Sequence, residues 1–343
     1  MMIKMNKEEI KILRYLSDNL GSGDNISKML QEIKTKYGKA YYPNLYKATK
    51  NLEKMEIIKI STEGKNKIIS LNKENPFSKY YMSEIEDHKS TEIKIFRELL
   101  HDILYLPEKF NIFSICSLGT EYHLALNRME LLILVKNHDE DYELIKSLLK
   151  LESNYDTGMD PIILTLDEFI KIMKSDELTP LKDLILDRHI LYNSIGFWDL
   201  IIRYDINSKY KKLNKSPYNI THKELAYNYN RFGFELIEEL SNEDKISIET
   251  LIFAMSINDE ARIRYGSIII LKKNIDKINL PYLFYIYKRY NKLGMLRSMI
   301  LSLIEAKGLE MNKNIRQYID LMKEDPNIKF DLNTIKEYIE LYS

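Results

Sequence analysis

The chain has 343 residues, 45% of them hydrophobic, and its 51 lysines and arginines balance 51 aspartates and glutamates. That composition is ordinary for a globular chain with cores of normal size in two or three domains, and a net charge of zero singles out no partner class. Cys116 is the only cysteine, which excludes an intrachain disulfide and a Cys/His metal cluster and points to a reducing, cytoplasmic setting. The start, MMIKMNKEEIKIL, lacks a signal-type apolar core, and no apolar run is long enough to span a membrane, so no membrane partner is expected. Charge is unevenly spread. Residues 1–75 hold 15 basic against 9 acidic side chains, residues 76–219 hold 18 against 24, and the remainder is balanced. A local basic excess is the usual footprint of nucleic-acid contact.

In chain order, the first predicted element is a helix over Lys7–Asn19, with Ile10, Leu13, Leu16 and Leu20 on one face and Gly21 ending it. A second helix follows Asn25 as its cap, carries Ile26, Met29, Leu30 and Ile33, and stops near Gly38. A third starts at Tyr42-Pro43, where proline suits the first turn, and runs through Leu45, Ala48, Leu52 and Met55. Two strands, Ile57–Ile60 and Lys67–Leu71, are joined by a loop containing Gly64. This order, and the segment NLYKATKNLEKMEIIKI in particular, resembles a winged helix-turn-helix domain, although Met55-Glu56 replaces the family's usual glycine. The resemblance implies that helix three enters the major groove of double-stranded DNA and that the wing touches the backbone. Tyr42, Asn44, Tyr46, Lys47, Lys50 and Asn51 lie off the apolar face of that helix, and Lys65 and Lys67 lie in the wing. These eight are the candidate DNA-binding residues. Asn and Lys read base edges or phosphate, whereas wing lysines add affinity without sequence information. Protein contact is the alternative role for such a domain, and a specific DNA reader would need a second copy of itself.

Residues 76–89 are polar, contain Pro76, and read as a linker. A helix is then expected from Ser90, with His101 as a partly buried structural residue. The stretch NIFSICSLGTEYHLALNRMELLILV (111–135) has one apolar strand, a small-residue turn at Cys116-Ser117, and a second strand starting at Met129. It resembles a minimal nucleotidyltransferase hairpin, where Gly-Ser marks the turn and Asp-x-Asp opens the second strand. An ungapped overlay puts Cys116 and Ser117 on Gly-Ser, and Arg128 and Glu130 on the two aspartates. The family uses carboxylates to hold metal ions against substrate phosphates. Arg128 puts a fixed cation where a ligand belongs, and Cys116 fills space that glycine leaves open to phosphate. Asp160, in MDPIIL, is the candidate third carboxylate, and the run Asp160–Asn193 continues the likeness with "LDEF", a Pro-containing loop and a helix ending in "ILY". Those five residues are therefore degenerate positions. No catalytic or metal-binding residue and no cofactor is expected, magnesium being implied only if Glu130 and Asp160 still work as an enzyme. His123 lies in the loop near where phosphates would sit. Asp187-Arg188-His189 reads as the last turn of a helix, where basic residues suit the dipole.

From Thr221 onward the pattern is all-helical. Ser247–Asn274 echoes Leu280–Gly308 at a spacing of about 33 residues, with Arg264 falling on Arg297, and Met311–Tyr342 offers a degenerate third pair. The turn NDEARIR weakly resembles HEAT-type repeats, which would offer a face to a protein partner. An ordinary helical bundle is the alternative. The reading is thus a multidomain α+β chain: a winged helix over 1–75, a linker over 76–89, a nucleotidyltransferase-like α/β domain with a small mixed sheet over 90–215, and all-α helical hairpins over 216–343. The expected function is that of a cytoplasmic DNA-binding protein, a transcriptional regulator whose inactive central domain serves as scaffold or nucleotide sensor. A divergent active nucleotidyltransferase and a protein-interaction adaptor are the alternatives. P-loop, Rossmann, Ser/His/Asp and HExxH signatures are absent.

Overall fold

The computed structural model describes residues 5–91, 97–119, 128–210, 212–213, 216–235, 243–326 and 328–342. The protein is mixed α+β. In chain order it begins with α1 (Lys7–Asp18), β1 (Asp24–Asn25), α2 (Ile26–Tyr37), α3 (Tyr42–Lys54), β2 (Ile58–Glu63) and β3 (Asn66–Leu71). Then come α4 (Ser78–Ser90), α5 (Arg97–Lys109), β4 (Ile112–Leu118), β5 (Arg128–Val135), α6 (Asp141–Tyr155), β6 (Gly158–Thr165), α7 (Leu166–Lys174), α8 (Pro180–Leu184), β7 (Arg188–Tyr192) and α9 (Ser194–Arg203). The rest is helical: α10 (His222–Arg231), α11 (Ile248–Ser256), α12 (Ala261–Lys273), α13 (Leu280–Arg289), α14 (Leu293–Glu305), α15 (Lys313–Leu321) and α16 (Leu332–Tyr342). Two compact units divide the chain, one made of residues 1–136, 165–174 and 184–210, the other of 137–164, 175–183 and 211–343. The first unit therefore holds both the basic N-terminal segment and the strands β4, β5 and β7.

In the first unit, α1 starts on a reciprocal cap. Asn6 accepts from the Glu8 and Glu9 amides, and the Glu9 carboxylate accepts from the Asn6 amide, an arrangement that stabilises a helix start by about 1 kcal/mol. Asn25 caps α2 with a single bond, its side chain accepting from the Lys28 amide at 3.0 Å, and Pro43 sits in the first turn of α3. The apolar faces of these helices bury Ile12, Leu13, Leu16, Met29, Ile33, Leu45 and Leu52, each contributing roughly 1.5–3 kcal/mol when fully removed from water. β3 is the middle of an antiparallel sheet of order β1-β3-β2. The β2–β3 strands run longer than the sequence suggests, so that only Gly64-Lys65 turns the hairpin. Gly64 adopts φ 61°, the left-handed value that such a two-residue turn requires.

The segment 76–89 is not a linker. It forms α4, whose Met82, Ile85, Glu86 and Lys89 are all buried. Their i, i+3, i+4, i+7 spacing is helical, but half of the stripe is charged, which disguised it as a polar connection. On α5, Leu99, Ile103 and Leu106 form the buried stripe, and His101 lies two residues out of phase with it. His101 is therefore exposed, with 82% of its side-chain surface in solvent, rather than partly buried.

β4 is flanked by β5 and β7, antiparallel to both. The "ILY" expected to end a helix lies in β7, as do Arg188 and His189. Ile190, buried in β7, alternates with exposed or half-exposed neighbours, the period-two pattern of a strand.

In the second unit, α11–α12 and α13–α14 are successive helical pairs. Ile248 to Leu280 and Ala261 to Leu293 are both steps of about 32 residues, the kind of period that stacked hairpins show. Ser247 and Asn279 cap the first helix of each pair. Aromatic rings fill this core: Phe253 meets Tyr287 edge-on at 5.0 Å, and Tyr265 meets Phe330 at 5.7 Å. α15 and α16 occupy the stretch read as a degenerate third pair.

Candidate functional site

α3 exposes the side chains expected of it. Tyr42, Asn44, Tyr46, Lys47, Lys50 and Asn51 are all exposed, and the rings of Tyr42 and Tyr46 stack at 6.3 Å on the outer surface. Lys65 and Lys67 are exposed at the β2–β3 hairpin. Among the described residues, two of the eight make polar contacts. The Lys50 ammonium contacts the Glu53 carboxylate at 2.6 Å, one turn along the same exposed face, a solvent-screened pairing readily exchanged for phosphate. Asn51 donates to Glu9 Oε1 at 3.2 Å, which ties α3 to α1.

The nucleotidyltransferase-like positions are placed differently. Cys116 and Ser117 do not form a turn; they lie inside β4, opposite Leu132 and Leu131 of β5. β4 continues through Leu118, and Gly119 beyond it adopts φ 62°. Both residues are fully buried, and burial pushes the Cys116 thiol up to about 12, far from a reactive thiolate. Arg128 and Glu130 open β5, as the overlay expects, and Glu130 is buried. Leu118 faces Glu130 on one side and Arg188 on the other, so these three side chains share one face of the sheet. Asp160, on β6, belongs to the second unit. There its carboxylate lies 3.5 Å from the Lys288 ammonium, which also contacts Glu152 at 2.8 Å. Among the described residues, no three His, Cys, Asp or Glu side chains gather in a metal-holding group. His123 lies outside the described residues.

Sequence reasoning missed a dense polar cluster in the first unit. The Arg188 guanidinium, with no exposed side-chain surface, donates to Glu86 Oε1 at 2.8 Å, to the Ser17 carbonyl at 3.3 Å and to the Ile185 carbonyl at 3.1 Å. Its plane also lies against the rings of Phe197 and Trp198 at 5.0 and 5.4 Å. The Ser17 hydroxyl donates to the same Glu86 oxygen at 2.6 Å. Lys89 lies 3.3 Å from Glu86 Oε2 and donates to Asp18 Oδ1 at 3.0 Å. The Tyr37 hydroxyl donates to the other Asp18 oxygen. Burial alone would raise the Glu86 carboxyl, but Arg188, Lys89 and the Ser17 bond together hold it below the usual carboxylate range. Burial likewise opposes ionisation of Asp18, and there Lys89 and Tyr37 prevail and keep the acid low. His189 donates from Nδ1 to the Lys89 carbonyl at 3.0 Å; burial first, then the Lys89 charge, lowers its imidazole. Glu86 sits in the segment read as a linker and Arg188 in the one read as a helix end. The helical spacing of Met82, Ile85, Glu86 and Lys89 was the signal that could have found Glu86; Arg188, whose partner is distant in sequence, has no local one.

A cleft of about 990 Å³ opens over this cluster, walled by α1, the end of α2, the end of α4 and the residues leading into β7. Six of its lining side chains are Lys or Arg and two are Asp. No protein-family model, no curated protein and no solved structure matches this chain.

Proposed function

We propose that the protein binds double-stranded DNA through α3 and the β2–β3 hairpin, as a winged helix does, and acts as a transcriptional regulator. The observation that carries this reading is the element order α1-β1-α2-α3-β2-β3 with an antiparallel β1-β3-β2 sheet, together with exposure of all eight candidate side chains on α3 and the hairpin tip. In that arrangement Tyr42, Asn44, Tyr46 and Lys47 face base edges, Lys50 exchanges Glu53 for phosphate, and Lys65 and Lys67 grip the backbone. Asn51, bonded to Glu9, holds the helix at its angle. The strands β4, β5 and β7 act as scaffold in this reading. Burial of Cys116 and Ser117 within β4 and the ammonium beside Asp160 give the enzyme alternative no support.

Fluorescence anisotropy with labelled genomic and random duplexes tests the proposal. Affinity should fall steeply between 50 and 200 mM salt, and the log–log salt slope should shrink by about one for each wing lysine removed in K65A and K67A. The K47A/K50A variant should bind roughly 10–100-fold more weakly, in line with two lost charge contacts. Absence of binding at low salt, or an unchanged slope in both wing variants, refutes it.

A further inference from the structure

The cleft in the first unit is a second feature that DNA contact leaves unexplained. Its volume of about 990 Å³ lies at the upper end of the range for small-ligand sites. Its floor is electrically settled, with Arg188 and Lys89 matched by Glu86 and Asp18. Its mouth is not. Lys36 is half exposed and shares Asp18 with Lys89, from the longer distance of 3.6 Å, so an anion entering there would take over Lys36 at little cost. Lys7 is exposed in the first turn of α1, the positive end of that helix, where a cation is locally unfavourable. A residue that breaks a local rule in this way is often placed for a ligand rather than for the fold.

We infer that this cleft binds a small anion of the polyphosphate class, held between Lys7 and Lys36 at the rim, above the charge-balanced floor of Lys89, Arg188, Glu86 and Asp18. The backbone of a duplex is the competing source of phosphate, but Lys89 and Arg188 are recessed, with 9% and 0% of their side chains exposed. A wide duplex can meet the rim and cannot follow the cleft down to them. The inference does not depend on the DNA-binding proposal, because neither Lys7 nor Lys36 belongs to α3 or the hairpin.

Isothermal titration of the full chain with inorganic triphosphate, and separately with ATP, decides it. Saturable one-to-one binding of triphosphate is expected, weakened at least about tenfold in K7E/K36E and unchanged in K65A/K67A; a tenfold loss corresponds to about 1.4 kcal/mol. Tighter binding of ATP than of triphosphate would show that a base and ribose also find contacts. The two rim lysines are exposed and outside the core, and circular dichroism verifies that K7E/K36E remains folded. No saturable heat, equal binding by K7E/K36E, or equal loss in K65A/K67A overturns the inference. So does a duplex that displaces triphosphate and itself loses affinity in K7E/K36E, since the site would then belong to the DNA backbone.

Discussion

Arg188 and Glu86 show how one buried pair can hold an interior together. Neither side chain has exposed surface; Glu86 Oε1 accepts from both Arg188 and Ser17, Lys89 lies beside Oε2, and the guanidinium also donates to two carbonyls. Removing one partner strands the other charge in a poor solvent, so Arg188→Ala should cost about 3–5 kcal/mol in urea unfolding. The E86Q/R188M double variant should lose less, because neither charge remains to be stranded. The same cluster sets an acid limit. His189 is held below its ordinary value of 6.5, so the unfolded chain takes up its proton first. Its contribution is complete at higher pH and is lost as pH falls through 6.5 and below. Asp18 and Glu86 are held below 3.8 and 4.5, so their contributions are present above those values and disappear as the acids protonate at lower pH. Stability should therefore decline gently below pH 6.5 and steeply below about 4.5. His189→Gln should flatten the first limb alone, a change visible in midpoints of urea unfolding at pH 7, 6 and 5.

At the scale of elements, packing overrides propensity in a way that can be measured. Gly266 lies inside α12, where alanine would ordinarily stabilise a helix by roughly 1 kcal/mol. A Cβ at that position would stand 2.4 Å from the Phe234 ring, which is fully buried and pressed against Tyr229 and Tyr342. Gly266→Ala should therefore destabilise by about 1–3 kcal/mol in thermal unfolding, and a gain in stability would show that the ring can move aside. The elements themselves were largely legible. α1, α2 and α3 follow their apolar stripes and caps to within a residue or two, and the helical pairs of the second unit were marked by their repeat of about 32 residues, since α11 and α13 are buried along almost their whole length and carry no one-sided stripe. What escaped did so for physical reasons. α4 mixes apolar and charged groups on its buried face, so its stripe reads as polar; β1 is two residues long and has no period; β7 carries an arginine that only a distant glutamate makes tolerable. The outward face of α3 was readable because exposure follows directly from helical geometry. The cleft was not, since its walls come from four segments far apart in sequence.

At the scale of the whole molecule, the two compact units each carry a core of their own, one rich in aliphatic residues from β4 and β5, the other in closely packed aromatic rings. Stability need not be lost in a single event under such an arrangement. The one thiol of the chain lies in the middle of β4, sealed from solvent and hard to ionise. A maleimide dye should leave the native protein essentially unlabelled and react only when that strand is uncovered, a difference that mass spectrometry reads as one added mass. Because no second thiol competes, the labelling rate times the urea dependence acts as a stopwatch started by the first unit alone. Run beside circular dichroism, which sums over every helix, it would tell whether the aromatic half outlives the aliphatic one, with no tag or engineered probe required.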